Sequence, residues 1–355
     1  MKSSTFRKLL AIALLAITST VGAEEVLRLG LLGNKFNKSF SAGVFGFAQE
    51  RQVFEQAFKK DGVKVEWTFY SAGAPALNEA IANGKVDIAV YGEVGSIAGK
   101  AGTLPTRIIA PNGLGGGKNY ILVPATSNVS VPADLKGKRV ALSRGTAPQL
   151  LFLRWAREIA GISDKEIRIL NLGSTDQEAT FLSGGADVLI GSNLDLVDRG
   201  LARILSVIDA DANPIFAGFG NVVVTQSYLD AHPERVQTWV DAYVKIAAEV
   251  ADERYRNDFV RLAGKTGTSA KSARNTLPKD LTLAYAPVFD AYYYTRLRTA
   301  IDDCRRFGMI PRDIDAAKWV EPRFLEKSLK DQGLAEKWGA LRSAPGPKLA
   351  EEAKP

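Results

Sequence analysis

Two short loops hold the residues in this chain best placed to do chemistry. Gly92-Glu93-Val94-Gly95-Ser96 follows one predicted strand and leads into a predicted helix, and Ser143-Arg144-Gly145-Thr146-Ala147-Pro148 does the same farther along. A helix start leaves backbone N–H groups without partners and carries about half a positive charge. Such loops can therefore hold an anion. Pro148 suits the first turn of a helix, which puts Thr146 or Ala147 at the cap. The competing reading is that Ser96 and Thr146 simply cap their own helices, and the residues alone leave both open. Reaction chemistry has less to work with. The one histidine, His232, precedes Pro233 at a helix start, and the one cysteine, Cys304, sits in a polar helix. That excludes a His-based triad, a Cys–His pair, a His cluster for zinc, a Cys-based metal cage and an internal disulfide. Gly113–Gly117 lacks the Lys-Ser/Thr ending of a phosphate loop. Carboxylate pairs stay open.

The elements that must position these loops come as a repeat. Gly84-Lys85-Val86-Asp87-Ile88-Ala89-Val90 returns one hundred residues later as Gly184-Gly185-Ala186-Asp187-Val188-Leu189-Ile190. Each copy follows a helical run and ends in a polar turn, Gly92–Ser96 in one and Gly191-Ser192-Asn193 in the other. Asp87 and Asp187 close the helix–strand turns and read as structural. β-branched and aromatic runs predict strands at Val26–Leu32, Val63–Tyr70, Val86–Tyr91, Ile121–Pro124, Arg139–Ser143, Ile167–Leu172, Asp187–Gly191, Arg203–Val207 and Val222–Gln226. Helical periodicity fits Ala48–Lys60, Ala74–Asn83, Ser96–Ala101, Pro148–Ala160, Asp176–Ser183, Leu194–Leu201 and Pro233–Asp252. Later helices at Ala291–Phe307, Ile314–Trp319 and Pro322–Gln332 should pack back on the first lobe.

Strand–helix–strand–helix–strand thus occurs twice, which implies an α/β protein of two lobes, each a mostly parallel sheet flanked by helices, around one cleft. The expected division is lobe I at 24–118 and 225–342, the latter carrying the C-terminal helices, and lobe II at 119–224. The two crossings are expected at Gly113–Pro124 and Phe219–Val224, where glycines permit a hinge. A floppy surface loop is the rival reading of Gly113–Gly117.

The N-terminus reads as an export signal. Lys2, Arg7 and Lys8 precede a short apolar run, Leu9–Ile17, and Val21-Gly22-Ala23 offers a cleavage site after Ala23. Its removal takes three positive charges from a net +7, leaving +4. The basic residues are scattered, so no nucleic-acid partner is expected. Residues 343–355, rich in Pro, Ala, Glu and Lys, are expected to be a disordered tail.

Further residues carry a family likeness. Val63-Lys64-Val65-Glu66-Trp67-Thr68-Phe69, Ala72-Gly73, Asn83–Ile88, Gly92-Glu93, Ala133–Leu142 with Arg144-Gly145-Thr146, His232–Val236, Phe307–Pro311 and Phe324–Leu329 resemble the aliphatic sulfonate-binding proteins of ABC transporters. The sulfonate, taurine and nitrate branches share this pattern. The resemblance implies a type II periplasmic binding protein with two hinge crossings, a monomer without a cofactor. It would deliver a small organic anion to a permease with a cytoplasmic ATPase, within sulfur metabolism. Taurine, nitrate or another small ligand is the alternative, and an enzyme on the same fold, such as a thiamine-pyrimidine synthase, a more distant one. The chain departs from the family in two places. Ser192-Asn193-Leu194 stands where a Trp-Asp-Pro-like turn is common, and the loop Gly33–Phe47 is long and holds Phe36, Phe40, Phe45 and Phe47. Both departures suggest a differently shaped pocket and a bulkier ligand, aryl among the options.

With that likeness the ligand role is preferred for the two helix starts. The expected site is Glu93, Val94 and Ser96; Gly145, Thr146 and Ala147; Ser192 and Asn193 in the second polar turn; Asn34 and Lys35 on the rim; and Lys118 and Asn119 beside the first crossing. Glu93 would repel an anion if it faced one, so capping or a structural role is preferred for it. For Lys35 and Lys118, plain solvation is the stronger reading.

Overall fold

The computed structural model describes residues 25–338 except 35–36, 115–116 and 192–193. The expected signal, 1–23, and the tail, 343–355, lie outside the described residues. The strands are β1 (Val26–Leu32), β2 (Lys64–Tyr70), β3 (Ile88–Gly92), β4 (Thr106–Leu114), β5 (Lys118–Pro124), β6 (Arg139–Leu142), β7 (Arg168–Asn171), β8 (Val188–Gly191), β9 (Ala202–Asp209) and β10 (Phe219–Thr225). Up to β10 the helices are α1 (Gly43–Glu50), α2 (Val53–Phe58), α3 (Ala74–Ala82), α4 (Glu93–Ala101), α5 (Ala147–Glu158), α6 (Ser174–Leu182) and α7 (Asp195–Asp198). After it come α8 (Gln226–Ala231), α9 (Pro233–Val250), α10 (Arg256–Lys265), α11 (Ala270–Thr276), α12 (Leu281–Ala284), α13 (Ala291–Arg306), α14 (Ala316–Trp319) and α15 (Arg323–Asp331).

These strands form two five-stranded sheets of one design. Their orders are β2-β1-β3-β10-β4 and β7-β6-β8-β5-β9. In each, three parallel strands are followed by one antiparallel strand: β10, which returns from beyond the second sheet, and β5, which comes straight after the first crossing. The repeated aspartates explain the likeness. Asp87 accepts the backbone N–H of Arg28 (2.8 Å) and its guanidinium (2.6 and 2.9 Å), and Arg28 also reaches the Gly84 carbonyl. Asp187 accepts the same three bonds from Arg139, at 2.8, 3.1 and 2.8 Å, and Arg139 reaches the Gly184 carbonyl. Each aspartate therefore locks the turn before its sheet's central strand, β3 or β8, to the start of the neighbouring strand, β1 or β6. The helices before them, α3 and α6, have the same length and the same hundred-residue offset.

The first sheet is covered on one face by α1, α2, α9 and α15, around a stack of Phe45, Phe54, Trp239 and Tyr243. The other face is covered by α3, α4 and α13. The second sheet packs α5 on one face and α6 and α7 on the other. Leu150 of α5 belongs to the first sheet's core, so α5 joins the lobes.

The structure moves several boundaries. The helix expected over Ala48–Lys60 starts at Gly43 and breaks at Gln52, where φ is +51°. Thr106–Leu114 is a strand of the first sheet that pattern reading left unassigned. The second crossing lies at 210–218, and Phe219–Thr225 is already the fully buried fourth strand of the first sheet. The crossings touch: the Ala210 N–H donates to the Gly117 carbonyl at 3.1 Å.

Candidate functional site

Both sheets present the carboxyl ends of their parallel strands to a shared cleft of about 590 Å3. One wall carries Leu32 and Gly33 after β1, Ser71–Pro75 between β2 and α3, and Gly92 and Gly95 at the start of α4. The other carries Ser143–Pro148 before α5, Asn171–Gly173 and Gln177 around the start of α6, and Ile190 of β8. A larger groove of about 970 Å3, between α2, α9 and α15, is lined from one lobe only. The cleft is the stronger candidate because it is walled by both lobes and lies outside the carboxyl ends of strands, where ligands sit in open α/β sheets.

Four helix starts converge on it. The caps of α3, α4, α5 and α6 are Gly73, Gly92, Thr146 and Gly173, and none makes a side-chain cap bond. Elsewhere, Thr225, Ser269, Asp280, Asp290 and Asp315 do cap their helices with side chains. Uncapped starts also occur away from the cleft, as at α9 and α10. Thr146 has a hydroxyl that could cap, but donates it to the Ser143 carbonyl at 2.7 Å. Apart from the Glu93 N–H, on which Glu93's own carboxyl draws, the first N–H groups of the four helices are thus left for solvent or a ligand. Close packing brings two of these starts together. A Cβ on Gly95 would stand 2.6 Å from the Ala74 Cβ, so only glycine lets α3 and α4 approach so closely. Among the described residues lining the cleft, Arg144 carries the only formal charge. Its backbone N–H is held by Asn171 at 2.9 Å and its guanidinium is exposed.

The structure sorts the expected site residues. Gly145, Thr146 and Ala147 line the cleft. Glu93, Val94 and Ser96 belong to a helix start whose Gly92 and Gly95 line it, but their own side chains are buried. Ser96 is a correction. It lies one turn inside α4, donates to the Glu93 carbonyl (2.9 Å) and accepts from Asn221 (2.8 Å), which in turn accepts the Tyr293 hydroxyl at 2.7 Å. Ser96 neither caps nor faces a ligand there, because the helix starts three residues earlier than its sequence suggests. Glu93 turns inward, with a carboxyl oxygen accepting the Phe219 N–H at 3.3 Å. Burial raises its pKa, opposed by its own N–H, Arg154, the Phe219 N–H and Arg296.

Asn34 and the crossing pair are also placed away from the cleft wall. The Asn34 side chain bridges its own loop, to Lys38 and the Phe40 carbonyl. Lys118 pairs with Asp209 at 3.3 Å, and Asn119 lies in β5 opposite Ile208. Lys35, Ser192 and Asn193 lie outside the described residues. Among the described residues the long loop after β1 brings no ring to the cleft: Phe40 packs against the first core, and Phe45 and Phe47 are in α1, buried on Trp239, Tyr243 and Phe259, while Phe36 lies outside the described residues. The expected bulky or aryl ligand loses that support.

Sequence reasoning missed Ser71–Pro75 and Asn171–Gln177. The signal was present, since Gly73 and Gly173 are one hundred residues apart, each between a predicted strand and a predicted helix. Among the described residues no cluster of three or more His, Cys, Asp or Glu could hold a metal. No helix among them is long and apolar enough to cross a membrane.

Comparison with known proteins places this geometry. The family described as NMT1/THI5 like matches residues 56–253. A Bacillus subtilis (strain 168) protein named as aliphatic sulfonates-binding is 25% identical over 288 residues, 80% of this chain and 84% of that protein. A solved periplasmic sulfonate-binding protein of a sulfonate ABC transporter from Methylobacillus flagellatus KT superposes with a TM-score of 0.70 at 24% identity, over 87% of this chain and 95% of that one. The desulfurization enzyme DSZB shares the fold too, with a TM-score of 0.63 at 17% identity over 87% of this chain and 99% of its own. The fold is thus the two-lobed one of periplasmic binding proteins.

Proposed function

The chain belongs to the NMT1/THI5-like family, and from that premise we propose that it is the periplasmic solute-binding protein of an ABC importer, capturing a sulfonate-like organic anion between its lobes. The observation that carries this reading is the meeting of four helix starts without side-chain caps, two from each sheet, at one cleft. A sulfonate stays ionised near neutral pH, and burying it is costly unless its oxygens find donors. Helix-start N–H groups supply donors and positive potential together. Arg144, on the rim, adds a formal positive charge to the same side. The lobe division, with its second boundary moved to the crossing at 210–218 so that β10 belongs to lobe I, export with cleavage after Ala23, a monomeric state, and delivery to a permease with its ATPase are parts of the same proposal.

Open and closed forms differ in whether both walls reach the ligand. Only such differential affinity can drive closure. Closure by bending at the two crossings, beside Gly117 and at 210–218, then presents the loaded form to the permease.

A catalytic reading, suggested by the desulfurization enzyme's fold, has little support in this cleft. Cys304 is fully buried on α13, its thiol pushed up to about 12 by burial, and His232 stands at the start of α9. Neither lines the cleft. Titration calorimetry with alkanesulfonates, aryl sulfonates, sulfate esters, taurine and nitrate tests the proposal. Binding of a sulfonate or sulfate ester supports it; binding of none of these anions, with tight binding of a cation or a sugar, rejects it.

A further inference from the structure

Behind the cleft floor lies a buried charged cluster to which the anion reading gives no role. Glu93 is the first residue of α4 and directly follows Gly92, which lines the cleft. Its side chain is 3% exposed. From α5 it faces Arg154, and from α13 it faces Arg296 and Cys304, with Asp303 of α13 next to both of the latter. Tyr91 of β3 is buried beside the same helix start, and β10 offers no titratable side chain. Arg154 is engaged by Asp303 at 2.5 Å and by the Ile215 carbonyl at 3.3 Å. Arg296 is engaged by the carbonyls of Ile215 and Ala217. Asp303 is shared with Arg306 at 2.9 Å. Among the described residues neither buried guanidinium hydrogen-bonds to Glu93, whose carboxyl is met directly only by backbone, the Phe219 N–H and its own N–H.

Resting on the anion reading, we propose that Glu93 is a specificity-determining residue acting through the start of α4. Its carboxylate competes with the ligand for the same positive helix end, so the cleft accepts one negative charge, refuses two, and takes up a proton at Glu93 on binding. An anion at this helix start would sit within about one helical turn, ~5–8 Å, of the carboxyl. Like charges that close, poorly solvated, repel enough to change affinity about tenfold or more. A dianion meets that repulsion twice over. Burial already disfavours the ionised carboxyl, so the arrival of another negative charge tips it toward protonation. The linkage has a fixed sign: the ligand raises the carboxyl's pKa, so affinity is highest below the free protein's titration and falls as pH rises through it.

Calorimetry of the intact protein with methanesulfonate, in buffers of different protonation heats between about pH 5 and pH 9, measures this. The expected result is fractional proton uptake, with affinity falling about tenfold across the Glu93 titration. Glu93→Gln keeps an acceptor for the Phe219 N–H. It should abolish both effects and raise affinity for sulfate, a dianion of similar shape, about tenfold relative to methanesulfonate. Sulfonate binding without proton exchange at any of these pH values overturns the role of Glu93 and leaves the anion reading standing. Failure of every sulfonate to bind overturns both. If Glu93→Gln does not fold, the buffer dependence of the unmodified protein decides alone.

Discussion

At the scale of single residues, Ala147 offers the cleanest probe of the helix-start account. It is the first residue of α5, lines the cleft, and follows Thr146 with φ −122° and ψ 160°, a backbone that tolerates a following proline. Ala147→Pro therefore deletes one cleft N–H at a position where proline suits the helix. Loss of a hydrogen bond to a charged partner should weaken anion binding about tenfold to a hundredfold, with the melting temperature nearly unchanged. Calorimetry and a thermal scan on one sample check both halves. Phe45 behaves oppositely. Its ring sits 2% exposed against Trp239 and Tyr243, so Phe45→Ala should cost about 3–5 kcal/mol of stability and leave ligand preference alone, as denaturant unfolding and a ligand series would report. The sequence was misleading here for a physical reason. A Phe-rich stretch after a strand reads the same whether its rings face a pocket or begin a buried helix, because periodicity needs more residues than α1 has. Ser96 misled similarly. Serine favours caps, but here the cap is Gly92, and the hydroxyl was spent on the Asn221–Tyr293 network.

Elements fared better. Strand–helix–strand order, the repeat at Gly84 and Gly184, and the helix start at Thr146 were legible, because each depends on local pattern, whereas α4 begins three residues before the expected Ser96. Less legible were contacts between distant segments: α5 packing on both lobes, and α13 reaching the second crossing. The buried Arg154–Asp303 pair, 4% and 8% exposed, joins those two helices. Asp303→Asn leaves Arg154 without its counter-charge and should destabilise the fold by about 3–5 kcal/mol, measured by denaturant titration. A second inter-element contact sets an acid limit. Glu50 of α1 is held at a pKa of about 2 by Arg261 and Lys265, the latter pair lying on α10. A depressed carboxyl stabilises the fold above its unfolded pKa of 4.5 and ceases to do so as pH falls toward 2. Acid unfolding of Glu50→Gln should therefore show a shallower pH dependence in that window than the unmodified protein; the pair is partly exposed, so the difference is small.

For the whole molecule, the proposed closure makes the two adjacent crossings a hinge. Gly117 sits in that hinge at φ +84° with a Cβ position filled by the Thr276 carbonyl of α11, so the crossing is pressed against the C-terminal helices. Closure should show as a fall in the radius of gyration by small-angle scattering when a sulfonate saturates the cleft; an unchanged radius would mean that binding does not move the lobes. The central claim is that one anion is held by helix starts of both lobes at once. Backbone amide NMR of the labelled protein tests it most directly. Addition of a bound sulfonate should shift the N–H signals of Ala74 and Glu93 in one lobe, and Ala147 and Ser174 in the other, along a single saturation curve. Shifts confined to one lobe, or to the groove between α2, α9 and α15, would contradict it.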